Sequence, residues 1–338
     1  MTTLTYSREE LLSEHDYSAE HVVAGRRMHG GMSADGTYQP PRSLGRVAAL
    51  DAWTEALLAH GGELFDAHSS LLDGERTPTV TQSQVLLRHG LGETFWNSLT
   101  ITGKIEARGR LLAEVAFPDL QPYIVDDISE MAIGHLNRGL LYAHGIDEGG
   151  QPDIEIGGHD EMWFAARDLA FGPDAYADVE PPDNISRPEA GQRFMPEVSP
   201  AVEGLLSLLM NLLIIEFRAE IGFATTQAVL RTPDLFADRR AEAELAAEIV
   251  GRIRTDEEIH VSSLQLYLGE LCTIRFQTEA GGEIAGSELI NRFWGGLVTW
   301  ATTEQPRQLS EARRTLIEAR IGAEENAERI LAEFSAAA

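Results

Sequence analysis

The segment 201–230 constrains the fold more than any other part of the sequence. It reads AVEGLLSLLMNLLIIEFRAEIGFATTQAVL and is apolar on almost every face of a helix as far as Glu216. A helix that is apolar all round must be surrounded by other elements. Ser199 and Pro200 precede it, and proline is favoured at the first helical position. The sequence therefore predicts a buried helix, helix C (201–230), that carries a carboxylate in its interior.

This buried carboxylate requires a partner, because buried acids are almost always paired or bound to a metal. Arg218 could pair with Glu216, since buried ion pairs do occur in proteins. A metal ion is the other possibility. Glu220 lies one turn further on, on roughly the same face, and is an alternative ligand. The residues of helix C alone leave both choices open.

A second long helix, helix D, is predicted to begin near Asp238, and it carries Asp256-Glu257-Glu258-Ile259-His260. Glu257 and His260 are three residues apart, so they share a helix face with about 5–6 Å between Cβ atoms. A carboxylate and an imidazole at this spacing can hold one metal ion, as in four-helix di-metal proteins. Roughly one Glu-x-x-His is expected by chance in a chain of this composition, so the motif alone is a hypothesis.

Helix A is predicted over residues 85–116 and ends before Pro118, because proline disfavours helix in the residue before it. It carries two acids of interest, Glu93 and Glu106. Either could face the same interior as Glu216.

Helix B is predicted over residues 123–145 and carries Glu130 and His135. Five residues of a regular helix turn through about 500°, which leaves this pair roughly 140° apart. The two side chains can share a metal only across a π-bulge, a distortion that is common at functional sites.

The loop-rich segment 145–200 follows helix B and contains one short helix near EMWFAARDLAF. Some four-helix folds have such a long crossover between their second and third helices. His159 and Glu161 lie at the start of the short helix and are reserve ligands. Acids at this position also suit the helix dipole without any metal.

Composition limits the function classes. The net charge of −27 argues against nucleic-acid binding and against adsorption to anionic lipid. The single cysteine, Cys272, allows neither a disulfide within the chain nor a cysteine-based zinc site. His, Glu and Asp remain as ligands, and oxygen-rich sites suit iron or manganese. The N-terminus lacks a basic region followed by an apolar run, so a soluble cytoplasmic protein is expected.

Strand signals are nearly absent, and the predicted fold class is all-α. The expected organisation is an extended N-terminal arm (1–42), a helix and loop (43–80), a helical bundle (82–275), and C-terminal helices packed on the bundle (276–338).

Asp256-Glu257-x-x-His260 and the order of helices A to D resemble the ferritin-like superfamily, in particular its oxidase and oxygenase branch related to ribonucleotide reductase small subunits. The resemblance implies a ferritin-like four-helix bundle with a long B–C crossover. It also implies that Asp256 supports a histidine ligand. The implied ligands are Glu106, Glu130 with His135, Glu216 or Glu220, and Glu257 with His260. Glu106 is preferred to Glu93 because its separation from the 117–122 turn is closer to the separation at which Glu130 follows that turn.

The function that this resemblance implies is a non-haem di-metal oxidase or oxygenase. It would hold two iron ions, or manganese and iron, and act with O₂ on a small organic substrate. A homodimer is expected from base rates. Two alternatives stay open: a non-catalytic acidic helical binding or structural protein, and a mononuclear iron or manganese protein that uses Glu257, His260 and His135.

Overall fold

The structure, a computed structural model, describes residues 3–74, 76–183, 185–188 and 191–338. It is mostly helical, as predicted. The α-helices are α1 (Arg8–Leu11), α2 (Ser43–Ala59), α3 (Val80–Arg88), α4 (Glu93–Gly109), α5 (Leu111–Glu114), α6 (Leu140–Gly149), α7 (His159–Phe171), α8 (Pro200–Leu230), α9 (Arg240–Thr273), α10 (Gly286–Thr299), α11 (Gln305–Ile321) and α12 (Ala327–Ala336). Short 3₁₀ helices lie at Ser69–Leu72, Gln121–Tyr123, Ala132–Arg138, Pro152–Ile154 and Ala237–Arg239, and a π-helix lies at Trp300–Glu304. The strands are β1 (Ala19–Val23), β2 (Arg26–Met32), β3 (Tyr38–Gln39), β4 (Arg275–Gln277) and β5 (Glu283–Ala285).

Helix α8 lies in the interior, as the apolar pattern of helix C predicts. The Ser199 side chain accepts a hydrogen bond from the Val202 N–H, and Pro200 occupies the first helical position. By length and composition α8 could cross a membrane, but 67% of its most apolar window is buried inside the protein. The core helix of a soluble protein has the same properties, so this apolar run is weak evidence for a membrane span.

Five helices surround the interior acids. Helix α8 packs against α9, α9 against α7, α7 against α4, and α4 against α6. The largest apolar cluster includes Leu209, Leu213 and Phe217 of α8 together with Leu264 and Leu268 of α9. These contacts fix the heights at which the acids of different helices face one another.

The prediction of one continuous helix B over residues 123–145 is wrong. The structure has turns, then a 3₁₀ helix, and an α-helix only from Leu140. Gly139 has φ of 140°, a conformation that no α-helix contains. A Cβ on Gly134 would lie 2.1 Å from the Ile128 carbonyl oxygen, so the chain folds back there. Helix A is likewise divided, at Gly90 with φ of 77°.

The N-terminal arm contains structure that the sequence did not predict. Strands β1, β2 and β3 form a three-stranded antiparallel sheet, and β4 pairs with β5 in a hairpin before α10. Strand β2 is anchored to the segment before α7, because the His29 N–H donates to the Gly157 carbonyl at 2.9 Å. The arm therefore lies beside the helices that carry the interior acids.

Candidate metal centre

Seven buried acidic and imidazole side chains from five helices meet in the interior. They are Glu106 of α4, His144 and Glu148 of α6, His159 of α7, Glu216 of α8, and Glu257 and His260 of α9. They form two groups that share Glu148, and within each group one ligand atom per residue lies within 4.8 Å of the others.

The first group, site 1, consists of Glu106, Glu148, His159 and Glu257. The Nδ1 atom of His159 lies 3.1 Å from Glu257 Oε1, 3.7 Å from Glu148 Oε2 and 3.9 Å from Glu106 Oε2. Site 1 thus offers one nitrogen and three carboxylates.

The second group, site 2, consists of His144, Glu148, Glu216 and His260. His144 Nε2 lies 3.1 Å from Glu216 Oε1 and 3.4 Å from Glu148 Oε1. His260 Nδ1 lies 3.2 Å from the same Glu148 oxygen. The His144 and His260 rings stack with centroids 3.8 Å apart, so both imidazoles face site 2 from one side.

Two carboxylates lie between the sites. Glu257 presents Oε1 to His159 of site 1 and Oε2 to His260 of site 2, at 3.1 and 2.7 Å. Glu148 presents Oε2 to site 1 and Oε1 to site 2. Each carboxylate therefore divides its oxygens between the two sites, which is the arrangement of a bridging ligand.

Two aspartates lie within hydrogen-bond distance of the Nε2 atoms of His159 and His260. His159 Nε2 lies 3.2 Å from Asp256 Oδ2, and His260 Nε2 lies 3.2 Å from Asp147 Oδ2. Since a carboxylate accepts the Nε2 proton, the Nδ1 atom of each ring can turn its lone pair to a metal. Carboxylate–histidine pairs of this kind orient metal ligands in many proteins.

The N-terminal part of the chain holds both aspartates in turn. Asp256 Oδ2 accepts hydrogen bonds from Tyr38 Oη at 2.8 Å and from His29 Nε2 at 3.1 Å. Asp147 accepts from Arg46 Nη2 at 2.7 Å and from Arg42 Nε at 3.1 Å. Residues more than 100 positions away in sequence thus set the orientation of His159 and His260.

The buried ionisable side chains shift one another's pKa values. Burial and the neighbouring Glu148 raise the pKa of Glu106 well above its usual range, and burial and Glu257 do the same for Glu216. Although burial and Glu148 oppose it, His159 and His260 lower the pKa of Glu257 to about 2. The raised pKa values of Glu106 and Glu216 favour their protonated forms, so a cation that binds there must displace protons.

Unsatisfied donor atoms fit a metal at this position. His144 Nε2, His159 Nδ1 and Glu257 Oε1 are buried, and although each has a neighbour at 3.1 Å, none of the three makes a contact with hydrogen-bond geometry among the described residues. A buried polar atom without a partner costs about 1–3 kcal/mol. These three atoms point into the two sites, so the groups of His and Glu could hold a metal ion.

The structure brings together four of the predicted ligands, namely Glu106, Glu216, Glu257 and His260. Asp256 lies behind a histidine, as the resemblance implies, and that histidine is His159. Glu93, the alternative to Glu106 on helix A, pairs with Arg320. Glu216, which could have paired with Arg218, instead contacts His144.

Three predicted ligands lie elsewhere. Glu130 is exposed in a turn, and Glu220 is exposed on α8. His135 is buried away from both sites: its Nδ1 donates to the Met131 carbonyl at 2.9 Å, and its Nε2 accepts from the Tyr6 N–H at 3.1 Å. Both ring nitrogens of His135 are therefore satisfied by the backbone.

Sequence reasoning overlooked Glu148 and His144 as ligands. Asp147-Glu148 repeats the Asp256-Glu257 pair, and His144 lies four residues before Glu148 on the same helix face. That repetition is the sequence signal that could have identified Glu148 and His144. His159, a reserve ligand, lies in site 1, whereas Glu161 pairs with Arg26 at 2.6 Å near the surface.

A comparison with known proteins found no matching family model, no matching curated protein and no matching solved structure.

Proposed function

We propose that the protein is a non-haem di-metal oxidase or oxygenase that uses O₂ on a small organic substrate. The observation that carries the proposal is the position of Glu148 and Glu257, each with one oxygen in each site. A mononuclear site has no use for two carboxylates shared with a second group of ligands. A purely structural role does not explain why so many ionisable side chains are buried together.

Charge balance supports two divalent cations. Four glutamates meet at the centre, and four negative charges equal the charge of two divalent ions. Without cations, a buried cluster of carboxylates is costly, and the raised pKa values of Glu106 and Glu216 reflect that cost.

The donor types support iron, with manganese as an option in one position. Imidazole suits iron, and carboxylate suits manganese. Site 2 has two histidines, His144 and His260, whereas site 1 has only His159. Iron is therefore expected in site 2, and either iron or manganese in site 1.

Bound iron would supply the electrons that reduce O₂. The chain's part is to orient and protect the centre. Asp147 and Asp256 fix the histidine rings, and Leu213 and Leu209, about one and two turns before Glu216 on α8, keep water from that side of the centre.

A ferritin-like bundle remains part of the proposal, with one change from the family pattern. Five helices instead of four contribute ligands, because His159 comes from α7 in the predicted crossover. The homodimer and the cytoplasmic location also remain proposals.

Anaerobic loading with ferrous ion, followed by removal of free metal and elemental analysis, tests the proposal. Two ions per chain are expected, with O₂ consumption when the loaded protein meets air. Glu148→Gln should retain fewer ions, because its amide nitrogen cannot donate to a metal. The matched control Glu220→Gln, exposed on α8, should load like the wild type. One ion per chain would favour the mononuclear alternative, and less than about half an ion would reject a metal centre altogether.

A further inference from the structure

The two aspartates that accept from ligand histidines have neighbours of different charge. Asp147 accepts hydrogen bonds from Arg46 Nη2 at 2.7 Å and from Arg42 Nε at 3.1 Å. Both arginines are buried, with 2% and 4% of their surface exposed, so solvent screens their charges little. Two positive charges therefore adjoin the aspartate whose Oδ2 atom lies 3.2 Å from His260 Nε2.

Asp256 has neutral neighbours instead. Its Oδ2 atom accepts from Tyr38 Oη at 2.8 Å and from His29 Nε2 at 3.1 Å. Burial lowers the pKa of His29, so its ring carries no charge. Within the residues that the structure describes, no arginine or lysine forms an ion pair with Asp256. The negative charge of this aspartate, 3.2 Å from His159 Nε2, is therefore not compensated.

Two further charges lie nearby and leave this difference in place. Glu14 Oε1 lies 3.4 Å from Arg42 Nη1, but the glutamate side chain is 43% exposed, so solvent screens it. Arg252 lies on the side of Asp256, with its Nη1 atom 2.9 Å from His21 Nε2. It contacts that imidazole instead of the aspartate, and its side chain is 20% exposed.

The donor sets of the two sites differ in the same direction. Site 1 has one imidazole and three carboxylates, whereas site 2 has two imidazoles and two carboxylates. Anionic donors and an uncompensated aspartate stabilise the higher charge of a ferric ion, and buried guanidinium groups destabilise it. Both differences make an ion in site 1 easier to oxidise than an ion in site 2.

We propose that Arg42 and Arg46 make the two metal positions unequal, so that the ion in site 1 is oxidised first and the ion in site 2 second. This inference rests on the proposed di-metal centre with iron in both sites. The arginines are positioning residues, because they act on site 2 through Asp147 and His260. Each step moves one electron from a ferrous ion to a one-electron acceptor such as ferricyanide, which becomes ferrocyanide. The state between the two steps is a ferrous–ferric pair.

An anaerobic redox titration of the iron-loaded protein tests the order of oxidation. Electron paramagnetic resonance detects the coupled ferrous–ferric pair, so the rise and fall of its signal give the potentials of the first and second steps. Arg46→Met should favour the second oxidation about tenfold or more, in the ratio of ferric to ferrous ion at a fixed potential, because a buried positive charge is removed beside site 2. The first step should change less.

Tyr38→Phe is the second variant, and it keeps the aromatic ring while removing the hydroxyl that donates to Asp256. The carboxylate then has one donor fewer, so the first oxidation should become roughly fivefold more favourable, as expected for one hydrogen bond. The second step should change little. The two variants thus shift different steps, which a loss of packing does not explain. Arg138→Gln, at an exposed position, is the control and should keep both wild-type potentials.

Counting iron before the titration separates this inference from the proposed function. Fewer than two ions per chain would overturn both. With two ions bound, the inference alone is overturned if the wild type shows no ferrous–ferric signal, if Arg46→Met shifts mainly the first step, or if it shifts neither. If Arg46→Met does not fold, Tyr38→Phe decides, and a shift confined to the second step would overturn the assigned order.

Discussion

Asp147 and Asp256 each accept a hydrogen bond from the Nε2 atom of a different histidine. Asp147 on α6 accepts from His260 on α9, and Asp256 on α9 accepts from His159 on α7. Each aspartate is followed by a glutamate that faces both sites, Glu148 or Glu257. Each Asp-Glu dipeptide thus supplies a carboxylate that faces both sites and, from the preceding position, the acceptor that orients a histidine on another helix.

Asp256→Asn should weaken metal binding by about 10- to 100-fold, the usual cost of losing a carboxylate behind a histidine ligand. The neutral amide accepts less strongly from His159, His29 and Tyr38, so the His159 ring is held less firmly. Competition with a chelator measures the change. Glu258→Gln, at an exposed position two residues further along the helix, is the control and should bind metal normally. Equal affinities for both variants would contradict the role assigned to Asp256.

Glu270 gives a pH prediction away from the centre. It is buried and accepts hydrogen bonds from the Ala132 and Ile133 N–H groups at 3.0 and 2.9 Å. Burial raises the pKa of Glu270 from 4.5 to about 7. Between these values the folded protein binds more protons than the unfolded chain, so stability falls as pH rises through this window. The loss should approach ~3 kcal/mol above pH 7.

Glu270→Gln should remove this part of the pH dependence. Urea denaturation at pH 5 and pH 8 measures it, as the difference between variant and wild type at each pH. Glu279→Gln, at an exposed position, should keep the wild-type slope. If Glu270→Gln also keeps that slope, the carboxyl is already ionised at pH 5.

The sequence identified members of the buried cluster where the signal is local. Glu257 and His260 share one helix face, and Glu216 interrupts an apolar run, so both patterns are visible in sequence. His135 shows the limit, since a histidine satisfied by backbone groups has the same sequence context as a ligand. The contact between Asp147 and His260 joins residues 113 positions apart, and no local pattern encodes it.

Elements differ in how well the sequence predicts them. Helix C was predicted as 201–230 and is observed as Pro200–Leu230, because a serine cap, a proline and an apolar run are all local features. The prediction of helix B was wrong because Gly139 adopts a positive φ and Gly134 lies against the Ile128 carbonyl. Those backbone conformations are set by packing, which periodicity does not report.

Gly109, at the end of α4, permits the approach of α6. A Cβ there would lie 2.6 Å from Glu148 Cγ. Gly109→Ala should therefore destabilise the fold by about 1–3 kcal/mol, the usual cost of overpacking. It should also weaken metal binding by displacing Glu148. Urea denaturation and metal titration measure the two effects.

The control for this substitution is Gly204→Ala on α8, where an added Cβ meets no atom within 4 Å. It should stabilise the protein by roughly 0.5–1 kcal/mol, because alanine favours helix over glycine. Similar losses in both variants would show that close packing against Glu148 is not the cause.

At the scale of the whole molecule, the metal should stabilise the entire fold, because its ligands join α4, α6, α7, α8 and α9. Free ferrous ion at 100 times its Kd should add about 2.7 kcal/mol per site to the free energy of unfolding. Anaerobic thermal denaturation with and without a chelator measures this. Glu148→Gln should lose most of the gain and Glu220→Gln none. An unchanged midpoint in the loaded wild type would contradict the prediction.

The mostly helical class was confirmed, since helical periodicity and the lack of strand patterns extend over most of the chain. The small sheet of the N-terminal arm was missed because β1 to β3 are short and rich in glycine and charge. The arm's contribution to the centre could not be predicted either. Tyr38 and His29 reach Asp256 only after the chain has folded over α9.

In the proposed di-metal centre Glu148 and Glu257 would serve both positions, so the first ion to arrive would also arrange the carboxylates that receive the second. Metal binding should then be cooperative. When metal is limiting, most chains should hold either no ion or two ions, and few should hold one. A cell that contains this protein would respond to metal supply by changing the number of competent molecules, each of which is either complete or inert.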